Sequence, residues 1–246
     1  ALFVSDIHIA SPDCPRGRLF LELLRSLPGR ENVTNLFLLG DIFDLWVADH
    51  GFFVDRYADI IGEIRRLSAE GVEISYFEGN HDLHLRGFWG AQLGLTIHEG
   101  PAYIQLGNTM LRVEHGDQMD PDDTGYRFLR WFLRTPPVRW LICNLPGPLI
   151  ARIGEKASAS SREYTSQTKT IERETAIGKI RAHARQAYLE QPFDIILSGH
   201  VHVRDDHADE VDGQSYRTVN LGSWMDRPCY FKLHENDRSF HELTTQ

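Results

Sequence analysis

Short apolar runs recur along the chain, and each closes in glycine or a polar cluster: ALFVSD at 1–6, LFLLGD at 36–41, VEISYFEGN at 72–80, MLRVEHGD at 110–117 and DIILSGH at 194–200. Runs of this length, rich in β-branched and aromatic residues and bounded by turn residues, predict strands. Between them, GRLFLELLRSL (17–27) and YADIIGEIRRLSAEG (57–71) place apolar residues at three- and four-residue spacing. That spacing predicts helices, the second stopped by Gly71. Strands alternating with helices imply a layered α/β fold. The tail, YRTVNLGSWMDRPCYFKLHENDRSFHEL (216–243), predicts short antiparallel strands around turns.

Composition narrows the function classes. A chain of 246 residues suits one α/β domain with an insertion and can bury a sizeable core. A formal charge of −9 argues against a nucleic-acid partner. Cys14, Cys143 and Cys229 are far apart and form no CxxC pair, which predicts neither a disulfide framework nor a cysteine zinc site, and a reducing compartment. The opening ALFVSDIHI reads as a strand rather than a signal peptide. The most apolar stretch, VRWLICNLPGPLI (138–150), is too short to span a bilayer and is broken by Asn144, Pro146 and Pro148.

Residues 126–190 stand apart, with 12 Lys and Arg against 5 Asp and Glu, a net of +7 that leaves −16 on the rest of the chain. The first half, YRFLRWFLRTPPVRWLICNLPGPLIARIG, interleaves Arg with Trp, Phe and Leu. Two readings follow: a core helix with solvated arginines, or a basic, apolar insertion that meets an anionic amphiphile or an anionic membrane surface. The division expected is a core of residues 1–125 and 191–246 with a helical insertion over 126–190.

The polar residues at the strand ends form a set: Asp6 and His8; Asp41; Asn80, His81 and Asp82; His115; His200 and His202. Taken singly, each is ordinary turn chemistry. In open α/β sheets, however, ligands bind beyond the carboxyl ends of the strands, so these residues can converge. Hard oxygens mixed with imidazoles, and no thiolate, suit Mn, Fe, Zn or Co. The donors outnumber the positions of one tetrahedral site, which points to two ions about 3.5–4 Å apart bridged by a carboxylate. His84, His98, His183, His207, His234 and His241 lack a strand-end context and read as surface or packing residues. Trp46 and Trp224 read as pocket wall or core, and Asp120 and Asp122 as turn residues beside Pro121.

The blocks DIH, GDIFDLW, GNHD, HGD and GHVH, in this order between residues 4 and 203, resemble the calcineurin-like metallophosphoesterase superfamily. Within it, LGDIFDLWVADH (39–50) and VEHGDQMDPDDTGYRFLR (113–130) resemble the UDP-2,3-diacylglucosamine hydrolases of lipid A synthesis, as does a helical insertion between the HGD and GHVH blocks. The resemblance implies an α/β fold, a two-sheet sandwich flanked by helices, with the insertion as a lid over acyl chains. It implies two divalent ions, Mn²⁺ first and Fe or Zn as alternatives. Asp6, His8 and His202 would hold one, Asn80, His115 and His200 the other, and Asp41 would bridge them. His81 would stabilise or protonate the leaving group and Asp82 would orient it. Asp123, with Ser161 and Lys169 of the insertion, would contact the substrate. That substrate would be an amphiphilic nucleotide-sugar lipid whose diphosphate is cut to 2,3-diacylglucosamine 1-phosphate (lipid X) and UMP. The enzyme would be cytoplasmic, peripheral on the inner face of the inner membrane, with no nucleic acid and no obligate protein partner. One departure stands out: the hydrolase subgroup usually reads GNRD, and here His81 replaces that Arg. The alternatives are the same chemistry on another phosphodiester, a nucleotide or a phosphoprotein, or a catalytically silent interaction module. The silent module predicts a lost ligand, and the set is full.

Overall fold

The computed structural model describes residues 1–27, 33–154, 173–234 and 237–244. In the first sheet, β1 (Leu2–Val4), β2 (Asn35–Leu38), β4 (Glu73–Phe77) and β6 (Thr96–His98) run parallel. The hairpin of β12 (Cys229–His234) and β13 (Asp237–Glu242) adds antiparallel to β1, giving the order β13-β12-β1-β2-β4-β6. The second sheet contains β7 (Ala102–Leu106), β8 (Thr109–Val113), β9 (Ile195–Ser198), β10 (Asp205–Val211) and β11 (Gln214–Asn220), in the order β10-β11-β9-β8-β7. A short parallel ribbon joins β3 (Trp46–Val47) to β5 (Asp82–Leu83).

The period-two alternation of the strands builds the layers. Phe3, Phe37 and Phe77 of the first sheet meet Leu111, Val113, Ile195, Leu197 and Val219 of the second, with Phe3 stacked on Phe37 at 4.5 Å. Their neighbours Leu2, Val4, Leu36, Leu38, Ile74 and Tyr76 face the other way, into a cluster shared with α1 (Pro15–Ser26) and α3 (Ala58–Ala69). On the outer side of the second sheet, Ile196 packs with Ala184, Ala187 and Tyr188 of α7 (Arg173–Glu190). The result is the two-sheet sandwich flanked by helices.

Several local features differ from the sequence pattern. α1 starts at Pro15, two residues early, because the Cys14 thiol accepts from the Gly17 amide at 3.3 Å and Pro15 occupies the first helical position. α3 stops where expected, before Gly71 at φ 90°. The tail is not wholly antiparallel: β11 pairs parallel with β9, because the tail's strands divide between the two sheets. The short helix α2 (Gly51–Arg56), the π-helical turn Arg86–Gln92 and the β3–β5 ribbon are too brief to show a period.

The segment after the HGD block continues as α4 (Thr124–Arg134), α5 (Pro136–Asn144) and helical residues 147–154 (α6), and reaches the second sheet through α7. α7 packs in the outer helical layer against the second sheet and ends at Glu190. No helix among the described residues is long and apolar enough to cross a membrane.

Candidate metal centre

The loops after β1, β2, β4, β8 and β9 bring the strand-end donors together. Asp6, His8, Asp41, His200 and His202 all adopt left-handed backbone, with φ of 51°, 51°, 52°, 66° and 59°. That conformation costs roughly 1–2 kcal/mol for a side-chain-bearing residue, and its concentration here marks a site over-determined by its surroundings. Two glycines are required by close approach: a Cβ on Gly79 would collide with the Asp41 carboxylate, and one on Gly199 with Ser5 and Asp6.

One group of donor atoms is Asp6, His8 and His202. The His202 Nε2 lies 3.1 Å from Asp6 Oδ1 and 3.2 Å from His8 Nε2, and His8 Nε2 lies 3.9 Å from Asp6 Oδ1. The other Asp6 oxygen accepts from Ser5 Oγ at 2.5 Å and from the His200 amide at 2.9 Å. A second group is Asp41, His115 and His200. Asn80 Oδ1 joins it, 3.2 Å from His115 Nε2 and 3.0 Å from His200 Nδ1. Asp41 Oδ2 lies between the groups, 3.8 Å from His8 Nε2 and 3.6 Å from His115 Nε2, while its Oδ1 accepts from the His81 amide at 2.9 Å.

The electrostatics fit this set to divalent cations. Burial alone would raise Asp6, but His202, His115 and His8 outweigh it and hold the carboxyl well below its usual range. Asp41 is likewise held low against burial, chiefly by His115. Burial lowers His8 to about 4, and burial with the nearby His115 lowers His200, leaving both as neutral imidazoles suited to ligation. Burial also opposes charge on His115, yet Asp41 and Asp6 raise it to about 9. Its Nδ1 donates to the Leu39 carbonyl at 2.7 Å, which turns Nε2 toward the site. Asp6 Oδ1 is buried without an aligned hydrogen-bond donor although two imidazoles crowd it. Lone-pair atoms packed this closely need a proton or a cation between them, and the donor set suits a divalent one.

His81 lies at the metal centre, and Asp82 makes other contacts than the His81 ring. The His81 ring lies 4.9 Å from that of His8, and its Nε2 is 3.9 Å from Asp41 Oδ2. Its Nδ1 meets the Asp44 carbonyl at 2.8 Å. The Asp82 carboxylate accepts from the Ile42 amide and from Tyr76 Oη, each at 2.8 Å. The Asp44 carbonyl is one contact that orients the ring, and Asp82 ties the Asp41 loop to β4, because β5 turns its side chain into the core. Asp44 also points its carboxylate toward His8 Nδ1 at 4.0 Å. The second Asp of GDIFD was the available signal for this carboxylate contact, though not for the carbonyl that meets His81.

Among the substrate candidates, Asp123 is exposed and caps α4, accepting from the Tyr126 amide at 2.9 Å. Ser161 and Lys169 lie outside the described residues. His183 is no loose surface group: its Nε2 meets buried Glu114 at 2.5 Å, and Glu114 also pairs with Arg112. His84 is buried against the Leu133 carbonyl, and Trp46 and Trp224 are core. Asp120 pairs with Lys179 at 2.5 Å. A cavity of about 200 Å³ lies behind His115, lined by Phe77, Glu78, Arg112, Glu114, Asp117 and His183 among others.

The sequence profile of the calcineurin-like phosphoesterases matches residues 1–204. A UDP-2,3-diacylglucosamine hydrolase of Aeromonas salmonicida is 31% identical over 236 residues, covering 92% of this chain and 86% of that protein. One from Pseudomonas paraeruginosa is 28% identical over 223 residues, covering 91% and 90%. Among solved structures, an archaeal phosphodiesterase aligns with a TM-score of 0.47 at 12% identity, covering 98% of this chain and 97% of that one.

Proposed function

The chain belongs to the calcineurin-like phosphoesterase family and is a metal-dependent hydrolase, and from that premise we propose that it cleaves the diphosphate of UDP-2,3-diacylglucosamine to 2,3-diacylglucosamine 1-phosphate and UMP. The relatives bearing that hydrolase's name align over nine-tenths of the chain. The observation that carries the chemistry is the carboxylate of Asp41, which lies between two groups of converging donors.

On this reading Asp6, His8 and His202 would hold one divalent ion and Asn80, His115 and His200 a second, with Asp41 available to both; Mn²⁺ is the first candidate. Such ions supply a lowered pKa for water and charge compensation for phosphoryl oxygens. The chain's own residues do the rest. His8 and His200 stay neutral, the Leu39 carbonyl fixes the ring of His115, and the buried Asp6 and Asp41 carboxylates supply the anionic oxygens. His81 Nδ1 donates to the Asp44 main-chain carbonyl at 2.8 Å, which leaves Nε2 as the ring atom that meets substrate. The leaving group from this diphosphate is a phosphate monoester with a second pKa near 6, so it needs charge neutralisation more than a proton. An Arg and a protonated His both provide that, which accounts for His81 at the position where the subgroup carries Arg.

Phe128, Leu129, Trp131, Phe132, Trp140, Leu141, Leu149 and Ile153 are exposed on the insertion, an apolar face suited to acyl chains and to the interface of an anionic membrane. A substrate panel tests the proposal: UDP-2,3-diacylglucosamine, bis(p-nitrophenyl) phosphate and mononucleotides, each with Mn²⁺. Release of UMP from the lipid with the highest kcat/KM is expected. Preference for a mononucleotide or small diester over the lipid overturns the substrate.

A further inference from the structure

α4 is an amphipathic helix turned inside out. None of its residues is buried, and Phe128, Leu129, Trp131 and Phe132 are 63%, 50%, 63% and 43% exposed. The inward stripe is polar instead: Tyr126, Arg130 and Arg134 repeat at four-residue spacing, which places them on one face. The reading of a core helix with solvated arginines is corrected here for two of them, because Arg130 and Arg134 each reach a core carboxylate, while Arg127 and Arg139 stay exposed.

Those carboxylates sit beside the metal centre. Asp117 is 8% exposed and two residues beyond His115; its Oδ2 accepts from Arg130 Nε at 2.7 Å and from Tyr126 Oη at 2.5 Å. Glu78 is 2% exposed and two residues before Asn80; its Oε2 accepts from Arg134 Nη2 at 3.0 Å, while Oε1 accepts from the Leu85 amide at 2.9 Å. Arg130 also donates to the Glu99 carbonyl at 2.5 Å, and the Leu133 carbonyl meets His84 at 3.2 Å. With no side chain of α4 fully buried, these polar contacts, together with the Tyr126 ring 6.1 Å from that of His200, hold α4 on the core. Buried ion pairs of this kind are costly to break from one side, because the partner is left uncompensated.

We propose that Glu78 and Asp117 are positioning residues that hold α4 in register with the metal centre and thereby set the preference for a lipid-bearing substrate over a small phosphodiester. The inference rests on the reading that the insertion's apolar face takes acyl chains. Through these two pairs, the loops that carry Asn80 and His115 are the same loops that aim the helix. A rigid coupling of this sort aligns a long substrate at both ends.

The test uses Glu78→Gln, Asp117→Asn and Arg134→Gln, with metal content measured in each. Arg134→Gln removes the first pair from the helix side and covers the case in which a core variant fails to fold. Expected is a fall of at least about tenfold in kcat/KM on UDP-2,3-diacylglucosamine, mostly through KM. Turnover of bis(p-nitrophenyl) phosphate and metal content should stay within about twofold. The Glu78→Gln, Arg134→Gln double variant should be no worse than either single. Hydrogen exchange should lose protection at 124–134 alone. Equal loss on both substrates, no loss on either, or unchanged exchange in α4 overturns the positioning role. Wild-type protein that cleaves the small diester but not the lipid sinks the substrate reading instead, and the exchange measurement then decides the positioning role by itself.

Discussion

Metal-stripped protein should lose stability as pH rises from about 6.5 to about 9, and His115 is the reason. Burial disfavours its charge, but the Asp41 and Asp6 carboxylates, with Asp117 and the Leu39 carbonyl, raise its pKa from 6.5 to about 9. At 1.36 kcal/mol per unit, that difference corresponds to roughly 3 kcal/mol. In this window the folded chain holds a proton that the unfolded chain has released. The stabilisation is complete below pH 6.5 and disappears as pH climbs through 9. Urea unfolding at half-unit pH steps, on protein shown metal-free by elemental analysis, measures it against His115→Asn. The difference between the two curves isolates this residue from other titrating groups. A ligating imidazole is neutral, so saturating Mn²⁺ should abolish the decline, and Mn²⁺ affinity should itself rise with pH across the window. A flat difference curve in metal-free protein, or Mn²⁺ affinity that falls from pH 6.5 to 9, refutes the placement of His115 between two carboxylates and a cation.

Chelation should lower the melting temperature and abolish turnover, with Mn²⁺ restoring both; at 100 times Kd the ion contributes about 2.7 kcal/mol, and indifference to EDTA in stripped protein contradicts the metal reading. Asp41→Ala should lose both ions, and full occupancy by elemental analysis would remove its bridging role. Gly79→Ala should cut metal content because the new methyl meets the Asp41 carboxylate; wild-type metal content and turnover would show that the loop gives way. His81→Ala should lower kcat by about 10²-fold or more with metal retained, the lower end of the range for a general acid, and His81→Arg should be milder on the lipid; wild-type kcat in the alanine variant makes His81 a bystander. Binding to phosphatidylglycerol vesicles should fall in a Phe128→Ser, Trp131→Ser variant, each ring contributing about 1.5–3 kcal/mol if fully buried. Salt should matter less than the segment's net charge suggests, because Arg130 and Arg134 are tied inward; full release by salt alone contradicts that.

The strand-end set was legible because it depends on local rules. A β-rich run closed by a glycine and a carboxylate, amide or imidazole marks the carboxyl end of a strand, and parallel strands in adjacent sheets bring such ends to one edge. Asp6, His8, Asp41, Asn80, His115, His200 and His202 were all found this way, and the structure brings them together. The helices α1 and α3 and the glycine stop at Gly71 follow from period and backbone freedom in the same manner. Other features depend on what lies across the gap, which no local pattern contains. Asp82 follows His81 in sequence, yet Ile42 and Tyr76 claim its carboxylate, and the ring is held by a carbonyl that the sequence does not distinguish from any other. α4 has a clear apolar stripe that by itself predicts burial. Only the carboxylates of Glu78 and Asp117, brought up by β4 and β8, make the polar stripe the inward one. Periodicity identified the two faces of that helix, and the charges waiting on the core decided which face turned inward.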